Sequence, residues 1–168
     1  MANPADQNAE TGDVARTAGL EVISRKSDAT GCSKGDIVHF DTNGLAVKGT
    51  TSGTIADGFG VALEDVAANG NGRFAVGNSY VYVTAGAAIV PNQLIAIDAT
   101  AGRAGPNNEP AAAALNAIFS DTEAEAEIDL VRDYFGKTVG RYIGHQTEIV
   151  GDPTDAADND IIIVRLGL

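Results

Sequence analysis

The chain has no tryptophan, one cysteine and only eleven basic residues in its 168. Each shortage excludes something. A lone Cys32 forms no intrachain disulfide. Its neighbours Gly31 and Ser33 place it in a turn with no paired histidine nearby in sequence, so an inert thiol is expected rather than a nucleophile. The five Phe and four Tyr are spread thinly, which leaves Val, Ile, Leu and Ala to build the core. No apolar run approaches the ~20 residues that cross a bilayer, so no membrane partner is expected. The opening MANPADQNAETGDVARTAGL lacks the basic start and apolar centre of a secretory signal. The chain therefore reads as soluble and not exported by a signal of that kind.

The formal charge is −12, and the basic residues are scattered singly apart from Arg25-Lys26. Phosphate backbones are repelled by such a chain unless it carries a concentrated basic face, so no nucleic-acid partner is expected. Asp outnumbers Glu, and lysine occurs only at Lys26, Lys34, Lys48 and Lys137. Short hydrated carboxylates of this kind suit a halophilic, high-salt source, and they suit an ordinary acidic protein equally well.

What the sequence does contain is a rhythm of short apolar runs and turns. Residues 1–19 are polar, show no apolar period, and are expected to form a flexible N-terminal arm. From Leu20 onward, residues 20–168 read as a single β-rich domain. The stretch 37–40 (IVHF) ends in Asp41-Thr42-Asn43-Gly44, whose Asn-Gly step predicts a hairpin, with Leu45, Ala46 and Val47 returning. Tyr80, Tyr82 and Thr84 alternate with Val81 and Val83. A further short strand at 94–97 is opened by Pro91-Asn92 and closed by Asp98. Turn signals about every ten residues predict a mainly β fold, a small barrel or a tulip-like sandwich of short antiparallel strands. One segment departs from this rhythm. Ser120-Asp121-Thr122-Glu123 fits a capping box, and Ala124, Ile128, Val131 and Phe135 recur at helical spacing before Gly136. An amphipathic helix is expected at about 121–135, inside an insertion at about 105–137, with its apolar stripe plugging one end of the barrel.

Candidate chemistry is sparse. Residues 152–160 (DPTDAADND) carry Asp152, Asp155, Asp158 and Asp160, the best metal candidates. The calcium-loop pattern fails, because Ala157 and Ile163 occupy the positions that need Gly and Glu. A solvated acidic hairpin loop is therefore favoured, with no metal. Glu64-Asp65 is a pair of carboxylates at a strand end, where neighbours point to opposite faces, so acid–base work is not expected. Gly58-Phe59-Gly60 opens like a dinucleotide fingerprint, but Leu63 stands at the third glycine and no helix follows. No phosphate loop, nucleophile elbow or zinc motif is present, and His39 and His145 read as ordinary strand histidines. Neither a cofactor nor an enzymatic activity is expected.

The stretch 58–76 (GFGVALEDVAANGNGRFAV), followed by 89–100 (IVPNQLIAIDAT), resembles the capsid-cement or head-decoration proteins of tailed viruses. The resemblance rests on a Gly-Val-Ala-Leu-Glu-Asp strand with a Gly-bearing turn, and on Asp98-Ala99-Thr100-Ala101-Gly102. It rests also on Gly35-Asp36-Ile37-Val38, and on a final Val-Gly-x-x-Ile-Gly strand at 139–144 paired with 161–166. It covers about 20–100 and 138–168 and leaves out the arm and the insertion. The resemblance implies a structural virion protein on the outer surface of an icosahedral capsid. Its partners would be the major capsid protein and two further copies of itself, as a homotrimer. Residues 20–23 would then anchor the arm to the barrel, with Leu20, Val22 and Ile23 as candidate capsid or subunit contacts. Other virion parts, such as a turret or tail tube, are the alternative, followed by a small-ligand- or glycan-binding β-barrel.

Overall fold

Period-two alternation sets the strands. In Ile161–Leu166 the side chains of Ile162, Val164 and Leu166 are buried, while Ile161, Ile163 and Arg165 stand half-buried on the other face. In Tyr80–Thr84 Val81 and Val83 are fully buried in the same way, while Tyr82 on the other face is buried too and Tyr80 and Thr84 are half-buried. The structure, a computed structural model, describes residues 9–17, 19–49, 58–98, 100, 102–108, 134, 137–145 and 155–167. Among them, eleven strands form two antiparallel sheets.

Sheet A runs in the order β1 (Val14–Arg16), β7 (Tyr80–Thr84), β11 (Ile161–Leu166), β10 (Gly140–His145), β8 (Leu94–Ile97) and β9 (Ala104–Pro106). Sheet B runs β2 (Glu21–Lys26), β6 (Asn71–Val76), β5 (Phe59–Ala62), β3 (Ile37–Phe40) and β4 (Ala46–Val47). The sheets form a sandwich and do not close into a barrel. One core lies between them, with Ile37, Val61 and Ala75 of sheet B packed with Val81, Val83, Ile95, Tyr142, Ile162 and Val164 of sheet A.

Sheet B also has a second core on its opposite face. Val38, Phe40, Ala62 and Phe74 gather there with Cys32, Ala46 and Val66, and Ile23 and Val76 pack at the margin. Phe40 and Phe74 meet edge to face, centroids 5.9 Å apart. The loop after β2 folds over this face and is pinned by paired backbone bonds between Cys32 and Val66 of 3.0 and 2.8 Å. A bridge from Ser27 to Ala46 draws the end of β2 toward β4. Sheet B therefore curls around its second core without closing. Strand β5 is consequently buried on both sides, Val61 in one core and Ala62 in the other.

Two stretches are placed differently from the sequence reading. Residues 9–17, placed in the flexible arm, belong to the sandwich. Val14 and Arg16 pair with β7, the Gly12 amide donates to Tyr82 O at 2.7 Å, and Ala9 is buried. Three strand residues are too few to show an apolar period, which is why composition hid them. Gly105 and Pro106, placed in the insertion, are in β9 and pair with β8. The helix expected at about 121–135 lies outside the described residues apart from Tyr134, which is helical. Asn107 ties the two ends of the insertion together, its side-chain amide donating to Tyr134 O at 2.7 Å and Thr138 Oγ1 at 2.8 Å.

Candidate functional site

The hairpin at 58–76 is built by its acids. Glu64 accepts from the backbone amide of Arg73 at 3.0 Å and from its guanidinium at 3.2 Å. The side-chain bond from Arg73 holds the Glu64 carboxyl below its ordinary range, with the backbone bond adding to it. Asp65 instead accepts from the Lys34 amide at 2.8 Å, tying the turn to the loop over the second core. The two carboxylates have different partners and share no proton. Their arrangement fixes a turn and supplies no acid–base pair. Asn69 takes positive φ (56°) in that turn, a conformation asparagine tolerates well.

The aspartate loop is divided in the same way. Asp152 lies outside the described residues. Asp158 faces Arg103 at 3.6 Å, Asp160 accepts from the Ala157 amide at 2.7 Å, and Asp155 is exposed. Arg103 also bonds the Asn159 side chain. Each described carboxylate has its own direction, and no cluster of three or more potential ligands stands among the described residues.

The expected contact residues separate as well. Leu20 packs against the core between the sheets, and Ile23 packs against the second core on the opposite face of sheet B. Val22 is 44% exposed at the sheet edge. The β2–β6 register explains the split: Val22 opposes Ala75 of the main core and Ile23 opposes Phe74 of the second. These three residues do not make one patch.

Cys32 is buried, and burial followed by the nearby Asp36 charge pushes its thiol pKa up to about 11. It is a thiol, not a thiolate, at neutral pH. His39 is half-buried on β3 between Phe59 and Val47, with Gly49 lying against its ring. An apolar groove of about 480 Å³ opens beside the second core, lined by Ile23, Phe40, Phe59, Val76 and Val139, with Arg25 at its margin. Few polar side chains converge on it, so it offers hydrophobic contact and little that would orient a ligand.

Two features were missed from the sequence. One is the second core, for which the apolar run through Val61 and Ala62 was a signal. The other is that sheet A collects Arg16, Arg141 and Arg165, far apart in the chain, into one cross-strand row.

No family model matches the chain, and no curated protein matches it. Among solved structures it is similar to the N base of head fiber gp8.5 of bacteriophage phi29, at 12% identity and a TM-score of 0.49. That likeness spans 88% of this chain and 95% of the other. At this level it carries no argument about function.

Proposed function

We propose that this chain is a non-enzymatic structural protein of a tailed virus that binds the outer surface of an icosahedral capsid and stabilises it. The observation that carries the reading is the 58–76 unit, whose sequence resembles the head-decoration family. It folds as β5, a turn held by Glu64 and Asp65, and β6. Every acid of that unit with a chemical alternative is used in holding the turn, which suits a scaffold better than a catalyst. Its partners are the major capsid protein and, as a homotrimer, its own copies. The mechanism needs only modest contact area per copy. Linked contacts in one oligomer raise the effective concentration of each, so a weak contact becomes a firm clamp across neighbouring capsid subunits.

The test is cosedimentation of the purified full chain with capsid shells of its virus from which it has been stripped. Saturable binding at a fixed number of copies per shell is the expected result. Absence of binding overturns the reading, and a ring or polymer formed by the isolated chain points to a tube subunit instead.

A further inference from the structure

The six strands of sheet A contain no Asp or Glu, although the whole chain has 23. They hold three of its seven arginines. The register aligns these on the outward face: Arg16 opposes Tyr80, Tyr80 opposes Arg165, Arg165 opposes Arg141, and Arg141 opposes Leu94. The row crosses five neighbouring strands, about 19 Å at the ordinary strand spacing. Arg16 lies over the Tyr80 ring, 5.6 Å from its centroid, and Arg165 donates to Asn78 Oδ1 at 3.0 Å. Arg16 and Arg141 are exposed. The ion pairs among the described residues use Lys34, Lys48, Arg73 and Arg103, so no carboxylate there neutralises the row.

Directly opposed like charges on neighbouring strands weaken a sheet. Arg141 facing Arg165 is therefore a cost that no carboxylate among the described residues offsets. Beside the row stand Ile163, half-buried, and Ile143, 38% exposed; alternation from buried Tyr142 puts Ile143 on the face of Arg141, at a bulge between Tyr142 and Gly144. Arginine and tyrosine beside exposed aliphatic side chains is the composition of an interface centre.

We propose that this face of sheet A docks a protein surface that carries carboxylates around an apolar patch. The inference rests on the decoration reading for its partner, the capsid shell, and names the surface that makes the contact. Charge complementarity selects the occupant. A second copy docked face to face would set one arginine row against another. A nucleic acid would meet the repulsion of a −12 chain and leave the aliphatic positions without apolar contacts.

The test compares full-length wild type with Arg141→Gln/Arg165→Gln, and with Arg25→Gln/Lys26→Gln, which removes the same charge from exposed positions of sheet B. Binding to stripped shells is measured at the lowest salt at which the protein stays folded. The expected result is a loss of about tenfold or more for the sheet A pair and little change for the sheet B pair. Shell binding that survives the sheet A substitutions overturns the inference and leaves the decoration reading intact. Tight binding of a short DNA duplex that the sheet A substitutions abolish overturns the protein partner in favour of nucleic acid. If wild type binds no shell, the decoration reading fails and thermal melts decide the face. Arg141→Thr is then expected to raise the melting temperature of the free protein by relieving the opposed charges. An unchanged or lowered melting temperature makes the arginines part of the sheet's own structure and overturns the inference.

Discussion

Glycines separate what the backbone demands from what packing demands. Gly31 and Gly44 both have positive φ, 72° and 73°. A Cβ on Gly31 would stand 2.6 Å from Val66 O and 2.9 Å from the Ala68 amide nitrogen, whereas one on Gly44 would meet nothing within 4 Å. Gly44→Ala is expected to cost about 1 kcal/mol, the conformational part alone. Gly31→Ala adds a collision with backbone that has little room to move, and is expected to cost roughly 3 kcal/mol. Urea unfolding of the two variants measures the difference, and equal costs would contradict the tight loop over the second core. The sequence marked both as turn glycines, and nothing local distinguished them. What separates them is the approach of residues 66–68, set by the fold.

Ionisation gives a second prediction at this scale. Lys34 Nζ lies 2.6 Å from Asp13 Oδ1. That side-chain bond, with a backbone bond to Glu10, holds the Asp13 carboxyl below its ordinary 3.8, and the same bond holds Lys34 above 10.5. Folded Asp13 binds fewer protons than unfolded Asp13, so its stabilising contribution is complete above pH 3.8 and disappears as pH falls through the lowered folded value. The Lys34 contribution is complete below 10.5 and is lost as pH rises through its raised folded value. The gap in melting temperature between wild type and Asp13→Asn should therefore be widest in the plateau between these limits and narrow at both ends. Both groups are substantially exposed, so the gap is small. A gap independent of pH would remove the ion pair from the account.

Among the elements, the step from β6 to β7 carries the chain from sheet B to sheet A. Ser79 holds it. This residue is fully buried, accepts from the Glu21 amide at 2.9 Å and donates to Val76 O at 2.6 Å. Ser79→Ala leaves the Glu21 amide without that acceptor and is expected to cost about 1–3 kcal/mol. The second core gives a larger effect. Phe74 is fully buried and stacks edge to face with Phe40, so Phe74→Ala is expected to cost about 3–5 kcal/mol. Calorimetric melting reads both, and a cost for Phe74→Ala near that of a surface substitution would mean the second face is not a packed core. The strands themselves were legible because alternation is a local property, as in Tyr80–Thr84. The second core was not, because it forms only when the loop bearing Cys32 and Val66 folds over strands distant in sequence. Strand β1 was hidden for a similar reason: three residues take their strand identity from pairing with β7.

For the molecule as a whole, charge is distributed very unevenly. A chain of −12 keeps every acid out of the strands of sheet A and brings three arginines into register there. Composition showed the basic residues as scattered, which is true along the chain and false across the sheet. Leu20 and Ile23 reach different cores for a related reason, since strand residues an odd number of positions apart face opposite sides. Local sequence fixes the alternation of a strand, whereas only sheet order decides which outward residues become neighbours.

Under the proposed function the chain reinforces a viral shell. Differential scanning calorimetry of stripped capsid shells, with and without the purified full-length protein, tests it most directly. The temperature of shell disruption is expected to rise as the protein is added and to level off once its sites are filled. A disruption temperature that stays the same with the protein in excess would contradict it.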